Sequence, residues 1–461
     1  MELANTESRC NFKDFGIAAL LAFLSFLIYM ANGRYIGSGD CVPASIIPIS
    51  MARGDGPWLD RYRAYIQDEN HRLPGYCEES RGHVVSRYPI GPGLVLAPFM
   101  VPQVWYRDAV KPGWDFEKVS FQFNSRRMAK TSASLVVSLA VSLVYLWLRR
   151  FSSVGASLLA SIAAAFGSGL WTTASQAGWQ HGPAVFCLMI SLICLQFYGA
   201  NRWAIFIAGM ATGMIVVCRL VNLPISIALW LFVMRKGRNE LIWFSSAAAT
   251  TAACWMVWNI WFFDHPNGGY SEIEKMHGWA HGVKGSWSTP LFEGLAGTLA
   301  SPSHGLLIYS PWVLIALPGM VFLFSLRERN KEQLQLLFWL SMSVPVTLVI
   351  YSKYSCWWAG HCFGARFWID STPIFSGLLA LIIDEMQSKK NNMKTVIYLI
   401  LLIFIAFSAA IHFIGALTYP TTWHSVPTNV DRDHQRLWDW GDNEVTRGLK
   451  EGIKPRQWRT Y

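Results

Sequence analysis

At 461 residues the chain is long enough for about three soluble domains of ~150 residues, yet 52% of it is hydrophobic and only 15% charged. An average soluble protein carries about 25% charged residues, and the 23 Trp, 27 Phe and mean hydropathy of +0.28 exclude a soluble enzyme, a disordered chain, a collagen-like repeat and a disulfide-stapled secreted module. The formal charge of +10 sits largely beside apolar runs, which points to membrane topology rather than to nucleic acid.

Apolar runs approaching the ~20 residues needed to cross a bilayer recur throughout. They predict an all-α polytopic membrane protein with about 11 transmembrane helices, at residues 15–31, 127–148, 153–172, 181–199, 203–218, 221–234, 240–263, 304–326, 333–351, 366–385 and 394–416. The first run lacks a small-residue cleavage site and reads as a retained anchor. The runs at 203–218 and 221–234 are short, as in helices broken near the outer face. Residues 41–52 and the proline-rich run 89–106 are expected to lie along the membrane surface.

The connections assigned to the inner face are short and basic: Arg149/Arg150, Arg202, Arg235/Lys236/Arg238, Arg327/Arg329/Lys331 and Lys389/Lys390/Lys394. The positive-inside rule therefore places the N-terminus in and the C-terminus out. The transmembrane domain is residues 1–416, with outer loops 32–126 and 264–303, and residues 417–461 form a short extracytoplasmic tail. All eleven His then fall in outer segments or at outer helix ends, the side where chemistry is expected.

In chain order, the first candidate is Asp40, in Gly37-Ser38-Gly39-Asp40 just past the first span. Glycines let the backbone turn tightly there and present a carboxylate at the membrane surface, where it suits a general base. A cap or turn residue is the competing reading. Tyr88-Pro89-Ile90-Gly91 opens the next apolar run and carries no reactive group, so its role is architectural.

Basic charge at outer helix ends comes next: Arg126, Arg127 and Lys130, then Arg219 between the two short spans, then Lys353 and Arg366 flanking the loop 352–365. As a set they suit an anionic lipid head group such as a phosphate, while snorkelling to the interface explains any one of them alone. Arg366 and Asp370, spaced i,i+4, are candidates to pair.

His181 heads a span and suits a phosphate or a sugar hydroxyl, or a satisfied structural role. The aromatic stretch Tyr351 to Arg366 contains His361, and its Trp faces suit carbohydrate. Cys41, Cys77, Cys356 and Cys362 are all expected outside, where disulfides are permitted. His277 and His281, near Glu272 and Glu274, lack a third ligand, so no metal and no cofactor is indicated.

With those residues in place the chain resembles the GT-C membrane glycosyltransferases, which use polyprenyl-phosphate-linked sugars and include the protein O-mannosyltransferases and the aminoarabinose transferase. The resemblance runs through Gly39-Asp40, Tyr88 to Gly91, Arg126-Arg127, Arg149-Arg150, Trp171 to Pro183, Cys218-Arg219, Ser301 to Leu306 and Gly364 to Phe367. It implies an inverting transferase of the plasma membrane with its site facing the exterior. Asp40 would deprotonate an acceptor hydroxyl, and Arg126, Arg127, Arg219 and Arg366 would hold the departing lipid phosphate.

Many relatives carry Asp-Glu where this chain has Asp40-Cys41, and the large C-terminal soluble domain of the family is not matched. The implied partners are a polyprenyl-phosphate-linked donor, membrane lipid and a glycan, lipid or protein acceptor, with no nucleic acid. A transporter or flippase of a lipid-linked saccharide is the alternative. It calls for inverted repeats and a polar path through the membrane, and neither is evident in the sequence.

Overall fold

The structure is a computed structural model that describes residues 11–197, 201–280, 285–325, 332–388, 392–419 and 422–454. It is mostly helical. Six helices are long and apolar enough to cross a membrane: Phe12–Ala31, Lys118–Leu148, Arg238–Phe263, Glu332–Lys353, Arg366–Gln387 and Thr395–Thr418. Shorter apolar helices, among them Val154–Phe166, His181–Phe197 and Arg202–Cys218, pack between them. The basic loops at 326–331 and 389–391, and His281, lie outside the described residues, as does the side chain of His277.

The long helices divide into two kinds. Lys118–Leu148 is buried along most of its length, with Ser132, Ser134 and Ser138 turned into protein. Phe12–Ala31, Arg238–Phe263 and Asn392–Thr418 instead leave Phe23, Leu27, Val257, Trp261, Ile403 and Phe407 exposed. That continuous apolar surface is what lipid covers in a membrane protein.

Close packing rests on small residues. Gly209 and Gly213 face Arg238–Phe263 so tightly that a Cβ would stand 2.3 Å from the Phe244 carbonyl and 2.7 Å from the Thr251 Cβ. This is the small-xxx-small packing of membrane helices.

Several expectations are corrected. The run at 304–326 is not one helix but three, Leu306–Tyr309, Val313–Ala316 and Pro318–Ser325. Pro311 and Pro318 each lack the N–H that would carry a helix through. The run at 153–172 ends as a helix at Phe166, then re-forms as the wide turn Leu170–Ala174.

The segment Val42–Ala52 is enclosed by protein. Every residue from Pro43 to Ser50 is buried, and the helix packs against Gly91–Val110. The molecule is also not purely α. Cys77–Ser80 and His83–Ser86 pair as an antiparallel hairpin, turned by Arg81 and Gly82 at φ of 53° and 82°, the left-handed pair that a tight two-residue hairpin turn requires. Cys41, Cys77, Cys356 and Cys362 are buried free thiols, not disulfides.

The tail docks rather than trails. Trp423, Val430 and Leu437 form a core with Cys356, Trp357 and Trp358 of the loop 352–365. Arg436 donates from Nη2 to the Trp423 and Val426 carbonyls at 2.8 Å each, holding the tail's turns together.

Candidate active site

After Phe12–Ala31 the chain runs close beneath the turn at 171–183. The Ile36 amide donates to the Gln176 carbonyl at 3.2 Å, and Trp179 Nε1 donates to the Ile36 carbonyl at 2.9 Å. A Cβ on Gly37 would stand 2.8 Å from that of Ala177, so this approach needs glycine. The result is a single 3₁₀ turn, Gly39–Cys41, with the Asp40 side chain 11% exposed. Asp40 Oδ1 accepts from the Ser38 hydroxyl, and Oδ2 accepts from Arg366 Nη1 at 3.1 Å.

Arg366 reaches Asp40 from the far end of the sequence because its own segment is a 3₁₀ helix, Arg366–Ser371. At three residues per turn, positions i and i+4 stand roughly 120° apart instead of in line. That corrects the expected Arg366–Asp370 pair: the two side chains diverge to different partners. The Arg366 guanidinium lies 4.8 Å from the Trp179 ring centroid and donates from Nη2 to the Ala359 carbonyl at 2.6 Å. Its Nε is buried and meets no acceptor among the described residues.

Asp370 belongs to a second group. Its Oδ2 accepts from Arg219 Nη1 at 2.5 Å and lies 3.1 Å from His181 Nδ1, which is itself 3.0 Å from Arg219 Nη1. One tautomer of His181 accepts from the arginine and the other donates to the aspartate. Asp370 Oδ1 is buried with no partner among the described residues.

The break between Arg202–Cys218 and Leu223–Met234 turns Arg219 inward, as the two short spans led one to expect of the backbone. Phe367 joins the groups: Arg219 lies 5.2 Å and Arg366 6.0 Å from its ring centroid, and Tyr351 stacks on it at 4.4 Å.

Tyr88 and Tyr270 bring the loops 32–126 and 264–303 within electrostatic reach of Asp40 and Arg366. Tyr270 donates to Gln180 Oε1 at 3.1 Å, and burial pushes its phenol up to about 12. Both phenols therefore stay neutral donors at ordinary pH.

The remaining sequence candidates are placed elsewhere. Arg126 is exposed, with its guanidinium 6.0 Å from the Tyr35 ring centroid. It lines a cavity of about 250 Å³ together with Tyr35, Ser45, Tyr76 and Gln122. Tyr35 also feels Asp40, so this cavity adjoins the carboxylate's turn. Arg127 is exposed, and its carbonyl accepts from Thr131.

Lys130 is fully buried and donates to the Tyr29 carbonyl at 2.8 Å and to Gln176 Oε1 at 2.6 Å. Lys353 Nζ donates to the Thr289 carbonyl at 2.9 Å, tying the end of Glu332–Lys353 to the segment before Leu291–Ala300. His361 pairs with Asp431 of the tail at 3.0 Å. None of these three is brought to Asp40.

Sequence reading missed Ser38, Trp179 as the ring beneath Arg366, and the two tyrosines. Ser38 had a local signal, a hydroxyl two residues before the acid. The others are joined only by the fold.

No protein-family model matches the chain, and no curated protein matches it. Among solved structures it is similar to the Archaeoglobus fulgidus oligosaccharyltransferase in complex with Zn and sulfate, with TM-score 0.47 and 13% identity over 96% of this chain and 59% of that one. It is also similar to the archaeal oligosaccharyltransferase AglB from the same organism, in complex with an inhibitory peptide and a dolichol-phosphate, with TM-score 0.46 and 12% identity over 98% and 62% of the two chains. The chain thus spans about three-fifths of their length. At those values the likeness decides neither fold nor activity.

Proposed function

We propose that the protein is a membrane glycosyltransferase that moves a sugar, with inversion, from a polyprenyl-phosphate-linked donor to an acceptor hydroxyl on the extracytoplasmic face. The observation that carries this reading is the pairing of Asp40 with Arg366 beside the Arg219–Asp370–His181 group. Two carboxylates and two guanidiniums share one aromatic-lined region, with unspent polar atoms on both sides.

In the resting protein each arginine is countered by one aspartate. A donor phosphate competes with Asp40 for Arg366, since a phosphate matches the guanidinium fork as well as a carboxylate does. Its arrival frees the Asp40 carboxylate to take the acceptor's proton. The acceptor oxygen attacks the anomeric carbon, the bond from that carbon to the phosphate oxygen breaks with its electron pair, and the lipid phosphate leaves with its charge held by Arg366. Donors aimed at a developing negative charge are worth most in a region shielded from water.

The test is to incubate membranes containing the protein with a panel of radiolabelled polyprenyl-phosphate sugars. The expected result is label passing from one donor to an acceptor, with release of polyprenyl phosphate. Folded protein that moves no label from any donor in the panel contradicts the reading.

A further inference from the structure

The docked tail brings together three ligand-bearing side chains that the proposed reaction does not use. His304 comes from the turn before Leu306–Tyr309, His424 from the tail, and Glu444 from the first turn of Glu444–Glu451. All three are buried, at 3%, 1% and 0% exposure, and one ligand atom from each lies within 4.8 Å of the others. The His304 and His424 rings stand 6.4 Å apart, and His424 Nε2 is 3.1 Å from Glu444 Oε1.

The Glu444 carboxylate is held from behind. Oε2 accepts from the Gly364 amide at 2.7 Å and from the Tyr309 hydroxyl at 3.3 Å, which leaves Oε1 turned toward the two imidazoles. Such outer hydrogen bonds orient metal-binding carboxylates. Neither ring nitrogen of His304 makes a hydrogen bond of normal geometry, although the Cys362 backbone lies close enough to act on its charge.

A buried imidazole with both nitrogens unspent is costly unless something else satisfies it.

We propose that His304, His424 and Glu444 bind a divalent zinc-class cation that fastens the C-terminal tail to the turn before Leu306–Tyr309. Two imidazoles and one carboxylate suit zinc, whereas magnesium and calcium take oxygen sets. Ligands about 2.0–2.1 Å from one zinc stand roughly 3.4 Å apart. The His424–Glu444 separation already fits that, and the third ligand needs only a small inward shift. The chain segments joined are far apart in sequence, so the ion acts as a clasp, and through the Gly364 amide it bears on the loop that positions Arg366. The proposal stands apart from the transferase reading, and failure of either leaves the other untouched.

The experiment uses the full chain purified in detergent. Elemental analysis is expected to find about one zinc-class ion per wild-type chain. Stripping with a chelator should lower the thermal midpoint by several degrees, and Zn²⁺ alone should restore it. Glu444→Gln, which keeps the acceptor for Gly364, should lose the ion and the response to Zn²⁺, and His304→Ala should do the same. His265→Ala, at an exposed histidine, should keep both. Wild-type protein that carries under about a tenth of an ion per chain, with a midpoint indifferent to chelator and to added Zn²⁺, overturns the proposal. So does an ion retained in full by both Glu444→Gln and His304→Ala.

Discussion

Two carboxylate–guanidinium pairs flank the first helix, and they differ in what they leave over. In its first turn Asp14 is closed on every side: Oδ1 accepts from Arg149 Nε at 2.8 Å and from the Tyr145 hydroxyl at 3.0 Å, and Oδ2 accepts from the Asn11 amide at 3.0 Å in a capping box. In the 3₁₀ turn that follows the helix, Asp40 and Arg366 meet through one nitrogen at 3.1 Å, Arg366 keeps a buried Nε unspent, and neighbouring Asp370 keeps Oδ1.

A saturated pair fixes a helix in place. An unsaturated one has capacity left for a ligand, at a cost in stability that a structural clasp would not carry.

Substitutions can break or sharpen that contrast. The largest effect is expected at Asp40→Asn, which keeps an acceptor for Ser38 but removes the base. Transfer should fall by about 10²–10⁴-fold with the thermal midpoint little changed. Arg366→Lys keeps the charge and loses the planar fork, so KM for the donor should rise by about 10-fold or more, read from initial rates over a donor series.

Asp14→Asn should show the opposite pattern. Breaking a buried pair costs about 3 kcal/mol, visible as a lowered thermal midpoint, while the folded fraction keeps its specific activity. The smallest effect is expected at Arg127→Ala, within about twofold in rate and without a stability change, since this side chain is exposed. Equal losses of activity at Asp14→Asn and Asp40→Asn, each with full stability, would erase the distinction.

The six long apolar helices were legible in the sequence, because span length is a local signal. The acid after the first span, the arginine at the break between two short helices and the arginine after the aromatic loop could all be named from the chain. Their partners could not. The Arg366–Asp370 pairing follows from assuming an α-helix where the backbone winds as 3₁₀, and one tighter turn sends Arg366 to Asp40 and leaves Asp370 to Arg219 and His181. The His304, His424 and Glu444 group has no spacing to read, since three separate segments supply one ligand each and only the docked tail unites them. The hairpin at 77–86 was passed over because its strands are too short to set up a clear alternation, although Arg81-Gly82 was a usable turn signal.

The most direct test of the central claim reads binding and turnover on one sample of purified Asp40→Asn protein with its polyprenyl-phosphate sugar. If Asp40 is the base and the arginines are the grip, the variant binds donor at least as tightly as the wild type, because Asp40 no longer competes for Arg366, and it releases almost no polyprenyl phosphate. Wild-type release by a variant that binds normally would show that Asp40 takes no part in the chemistry.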